Sequence, residues 1–93
     1  MVKAEDLIKQ QKEREDKKKE IFKKILEKIE KKIILASNSN FYECKYEIPE
    51  FLMGMPIYSV VDCKKYIKQK LEKNGFKVDN LINNIILISW YPN

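Results

Sequence analysis

Apolar residues recur at helical spacing from Ile21 to Ile34, through Phe22, Ile25, Leu26, Ile29 and Ile33, whereas the stretch Lys9 to Glu20 just before them holds no hydrophobic side chain. No Gly or Pro interrupts Ala4 to Leu35, and Lys, Glu, Leu and Ile dominate it, so the pattern predicts one long helix ending near Ala36. Its second half carries an apolar stripe that must pack on something; its first half does not. Glu13 and Lys17, Glu15 and Lys19, Glu20 and Lys24, and Glu27 and Lys31 fall at i,i+4 in the favourable order, each pair adding about 0.2–0.5 kcal/mol. A coiled-coil seam persists only from Phe22 to about Ile33, too short for that architecture.

Ser37-Asn38-Ser39-Asn40 then links the helix to a strand, because small polar side chains compete with the helical backbone for hydrogen bonds. From Phe41 to Ile48 the pattern alternates, with Tyr42, Cys44, Tyr46 and Ile48 on one face and Glu43, Lys45 and Glu47 on the other, as in a half-buried strand. A second helix starts at Ser59, with Asp62 in its first turn and Val60, Cys63, Ile67 and Leu71 along one side. Asn74-Gly75 ends it with a left-handed cap followed by the apolar Phe76. Phe76 and Val78 alternate in a short strand, Asn80 to Asn84 turn, and the β-branched run Ile85 to Trp90 is a central strand.

The predicted fold is therefore α+β: a long N-terminal helix, then β-α-β-β forming a small three-stranded sheet, antiparallel or mixed, with both helices packed on one face. Residues 1–20 are expected to form a charged, projecting helical arm, and residues 21–93 a single domain. A chain of 93 residues buries only about 60% of the surface its unfolded form exposes, so stability is modest and association adds to it.

Charge qualifies this picture. Lysine and arginine outnumber acids by five, and residues 1–36 hold most of the excess, twelve basic against eight acidic. Such a balance favours anionic partners, although the acids of the same segment neutralise two-thirds of its positive charge locally. There is no histidine, so neither Cys44 nor Cys63 has the usual base beside it for nucleophilic chemistry, and a metal site would lack the usual ligand set. Both cysteines read as small core residues of a reducing compartment. With Gly54 and Gly75 the only glycines, no phosphate-cradling loop exists. The reading is of a non-enzymatic protein without catalytic residues, metal or cofactor. The polar N-terminus is no secretory leader, and no apolar run approaches the roughly 20 residues of a membrane span, so a cytoplasmic location is expected.

The anomaly in the pattern is the loop Pro49 to Pro56, which holds Phe51, Leu52, Met53 and Met55 where polar residues belong. Folded back over the sheet these would be core; exposed they would mark an interface. Phe51, Leu52, Met53, Met55, Pro56 and Tyr58 are accordingly the candidate protein-contact residues. The alternative is sequence-independent nucleic-acid binding through phosphate contacts from Lys17, Lys18, Lys19, Lys23 and Lys24 on the first helix, or Lys64, Lys65 and Lys68 on the second. The single Arg14 makes base readout unlike this chain. An amphipathic helix lying on a membrane is disfavoured, since the fold needs the same apolar stripe for its core.

Several runs together, Tyr46-Glu47-Ile48-Pro49-Glu50-Phe51, Gly54-Met55-Pro56-Ile57-Tyr58, Cys63, Tyr66, Asn74-Gly75-Phe76-Lys77-Val78 and Ile88-Ser89-Trp90, give residues 21–90 a family resemblance. The chain resembles a small uncharacterised family of nucleocytoplasmic large DNA viruses, the giant-virus group. The resemblance implies no activity, cofactor or catalytic residue. It implies a place in the host cytoplasm, a viral factory or the virion, while a protein partner or self-association is expected from the apolar loop and the modest stability. Asn83 departs from the pattern, which would have a proline there.

Overall fold

The computed structural model describes residues 1–92. Helix α1 runs over Ala4–Asn38, strand β1 over Glu43–Glu47, helix α2 over Val60–Lys73, strand β2 over Lys77–Asn80 and strand β3 over Ile85–Ser89. The sheet order is β1-β3-β2, with both pairings antiparallel. The last strand thus inserts between the two earlier ones, and both helices cover one sheet face, as the hydrophobic pattern predicts.

Alternation decides that face. The register sets Cys44 opposite Ile88 and Tyr46 opposite Ile86, with Val78 also opposite Ile88, and these residues pack beneath α1 and α2. The opposite face carries Glu43, Lys45 and Glu47 on β1 and Lys77 and Asp79 on β2, with Leu87 between Lys45 and Asp79. The core joins Ile21, Ile25 and Ile29 of α1 and Cys63 and Ile67 of α2 to Ile48, Ile86 and Ile88.

Both helices end in the same way. Asn40 adopts φ 66° and Gly75 φ 91°; the N–H of Phe41 donates to the Ala36 carbonyl and that of Phe76 to the Leu71 carbonyl, each at 3.0 Å. This is the Schellman closure. It moves the end of α1 two residues past the expected Ala36, because Asn40 tolerates the left-handed conformation and lets Ser37 and Asn38 stay helical. At the other end of α2, the Ser59 hydroxyl accepts from the Asp62 N–H at 3.3 Å, the predicted cap.

Three expectations need correction. Strand β1 is shorter than Phe41 to Ile48, although single backbone bonds continue past it, from the Ile48 N–H to the Asn84 carbonyl and from the Trp90 N–H to the Tyr42 carbonyl; the Tyr42 side chain is exposed and stacks on Tyr91, centroids 5.8 Å apart. Ile34 leaves the apolar stripe: it is 57% exposed, whereas Ile29 is fully buried. The i,i+4 pairs foreseen along α1 stay open, and among the described residues the ion pair formed is Lys68–Glu72 at 3.9 Å. Long exposed side chains gain too little from pairing to give up their rotamer freedom.

Residues 1–20 are exposed throughout, while Ile21 is almost completely buried. The helix continues across that boundary, giving a molecule 60 Å long and about 25 Å across in its other two dimensions.

Candidate interaction surface

The unusual loop is pinned at both ends. Its far end is Tyr58, only 5% exposed, whose hydroxyl donates to the Pro49 carbonyl and whose ring meets Phe22 edge-on. Phe22 in turn packs on Tyr66 of α2, centroids 5.6 Å apart. Tyr58 is therefore core and not a contact residue. A sequence reading that counted it with its apolar neighbours could not see that Phe22 waits for it.

Between the anchors the chain doubles back. The Met55 N–H donates to the Leu52 carbonyl at 3.1 Å, with Gly54 at φ 76°. A type II turn needs this left-handed φ at its third position, which is why glycine stands there. Met53 is then the corner of the turn and is 95% exposed. Leu52 and Met55 rest against the core, whereas Phe51 is 68% and Ile57 85% exposed. The loop thus divides: Leu52, Met55 and Tyr58 hold it down, and Phe51, Met53, Pro56 and Ile57 face outward. Gly54, Met55 and Pro56 share a shallow depression of about 330 Å³ with Lys17, Glu20 and Ile21, at the point where the arm leaves the core.

Ile57 was absent from the candidates read from the sequence, and so was a second apolar region. Ile34, Leu35 and Phe41 are exposed beside depressions of about 450 and 500 Å³ at the C-terminal end of α1. Its signal is present in the sequence: Ile33-Ile34-Leu35 places more consecutive apolar residues on a helix than one buried face can accept.

The lysine candidates fall into separate groups. Lys17, Lys18 and Lys19 stand on the arm, and Lys23 and Lys24 on the packed half of α1, all exposed. Lys64, Lys65 and Lys68 surround a depression of about 340 Å³ on α2 with Val61 and Asn80. Lys64 is partly spent on structure, donating to the Asn83 carbonyl at 3.1 Å.

Both thiols are free. Burial pushes Cys63 up to about 12. It raises Cys44 too, with Lys32 pulling the other way. Each stays protonated near neutral pH, a poor state for nucleophilic attack. No helix is long and apolar enough to cross a membrane among the described residues.

The model of a family described as "Family of unknown function (DUF5759)" matches residues 2–72. The chain belongs to this family. The match takes in the arm, β1, the pinned loop and nearly all of α2. An uncharacterized protein of Acanthamoeba polyphaga mimivirus is similar to it, 29% identical over 90 residues, covering 92% of this chain and 73% of the relative. The family is thus represented in the giant-virus group, as the motifs quoted above imply. No solved structure matches the chain.

Proposed function

We propose that this member of the family is a non-enzymatic interaction or assembly module of a large DNA virus, acting in the host cytoplasm, a viral factory or the virion. Its contact surface is the outward side of the loop, Phe51, Met53, Pro56 and Ile57, and residues 1–20 are its projecting arm. One observation carries the reading: large apolar side chains are held in water on a loop whose ends are fixed by Tyr58 and Pro49. Fixed ends matter because a surface ordered before contact loses less entropy on binding. Methionine and aromatic residues are also what protein interfaces favour. The occupant is a protein with an apolar pocket for Met53 and Phe51.

A crosslinked pull-down from infected cells, with and without nuclease, tests this. A defined protein retained through nuclease and high salt, and lost with Phe51→Ser/Met53→Ser, supports the proposal. Recovery that vanishes with nuclease, or that ignores the double substitution, overturns it.

A further inference from the structure

Charge in the folded part is sorted by layer. From Ile21 onward α1 carries five lysines and two glutamates, and α2 carries five lysines against Asp62 and Glu72. The remaining segments from residue 39 to 92 have the reverse balance, Lys45 and Lys77 against Glu43, Glu47, Glu50 and Asp79. The helix layer is therefore +6 and the three strands −1, with Glu50 on the loop beside α1. The arm, with seven basic and six acidic side chains, is almost neutral. Both helices cover the same sheet face, and Lys32, over the Tyr46 ring, and Lys64, donating to the Asn83 carbonyl, turn back toward the sheet, which leaves the remaining helix lysines to the outer side. Lys24, Lys28 and Lys31 of α1 and Lys65 and Lys68 of α2 are all exposed there.

We propose that the outer face of the α1–α2 layer binds nucleic acid through its phosphate backbone, without reading sequence. A one-sided field of this size attracts and orients a polyanion, and lysines serve phosphate as point charges without fixed geometry. The one arginine, the commonest reader of base edges, lies on the arm at Arg14, away from this face. An anionic membrane fits less well. Interfacial helices insert an apolar side, and on both helices that side, including Ile25, Ile29 and Ile67, is already sealed in the core. The proposal does not depend on the loop: it uses a different surface.

Fluorescence anisotropy with a labelled duplex of about 20 base pairs tests it; with roughly four phosphates engaged, affinity falls about 100-fold between 50 and 200 mM salt. Reversing Lys24, Lys31, Lys65 and Lys68 to Glu is expected to weaken binding at least roughly tenfold. The same number of reversals on the arm, at Lys3, Lys9, Lys12 and Arg14, none of them among the candidate phosphate contacts, leaves binding nearly intact. Circular dichroism verifies the fold of each variant, and Lys65→Gln/Lys68→Gln, which removes charge without adding repulsion, replaces the fourfold variant if that one does not fold. Phe51→Ser/Met53→Ser retains binding, which separates this surface from the loop. No binding at 50 mM salt, equal loss from the arm reversals, or equal binding to phosphatidylserine vesicles overturns the proposal.

Discussion

Tyr58 stands edge-on to Phe22, ring centroids 6.0 Å apart at 82°, and so ties the apolar loop to α1 one residue after the helix enters the core. The contact, with the hydrogen bond from the Tyr58 hydroxyl to the Pro49 carbonyl, fixes the ends of the loop to the fold. Tyr58→Phe keeps the ring and strands the Pro49 carbonyl; it should cost about 1–2 kcal/mol in urea unfolding and leave the loop in place. Tyr58→Ala should cost about 3–5 kcal/mol and expose the segment between Pro49 and Pro56 to limited proteolysis.

Ile29 and Ile34 belong to one stripe by spacing yet lie on opposite sides of the burial divide. Ile29→Ala should destabilise by about 3–4 kcal/mol, because the cavity it leaves cannot collapse among fully buried neighbours. Ile34→Ala should change stability by less than about 0.5 kcal/mol. Equal midpoints for the two variants in urea would contradict the packing described for α1.

Alkaline pH should weaken the fold through Cys63. Its thiol holds its proton in the folded chain up to about 12, against an ordinary value of 9.0. Below 9 both states are protonated and the thiol contributes no pH dependence. Above it the unfolded chain releases a proton that the folded chain retains, so stability falls as pH rises, by up to about 1.4 kcal/mol per unit. Tyr58 shifts upward too, chiefly through burial, and acts in the same direction. Urea midpoints from pH 7 to 10.5, taken under reductant, should therefore decline more steeply for the wild type than for Cys63→Ala.

Asn83 turns the chain from β2 into β3 with φ 59°. A proline cannot take this position in the turn, since its ring locks φ near −65°. Asn83→Pro should lower stability by more than about 1 kcal/mol, whereas Asn83→Gly, free to adopt positive φ, should be neutral or better. Thermal unfolding of the two variants checks the sign.

Deleting residues 1–20 removes no buried side chain. The unfolding free energy from urea titration should change by less than about 0.5 kcal/mol, while helical ellipticity falls. Amide exchange in the intact protein should be fast along this arm and slow from Ile25 to Ile33, where the same helix is packed.

The elements themselves were legible in the chain. Period-3.6 stripes on α1 and α2, alternation in β1, and β-branched residues in β3 each report a local rule that holds wherever one face of an element is buried. The cap at Ser59 and the closure at Gly75 were legible for the same reason: their signals lie within four residues of where they act. Whether an apolar side chain would be covered was not a local matter. Ile34, Tyr42 and Tyr58 look alike to a periodicity argument, and only the position of a partner, an empty flank for Ile34, Tyr91 for Tyr42 and Phe22 for Tyr58, decided their burial.

By itself, then, the sequence determined the kind and order of the elements, the absence of histidine chemistry and the excess of lysine, because these depend on composition and near neighbours. Only the tertiary structure decided which residues of the loop became anchors and which faced water. It likewise sorted the charges, placing both lysine-rich helices on one face of the sheet and Glu43, Glu47 and Asp79 on the other. Those outcomes depend on contacts between residues far apart in the chain, such as Phe22 with Tyr58 and Lys64 with Asn83, and no window along the sequence contains both partners.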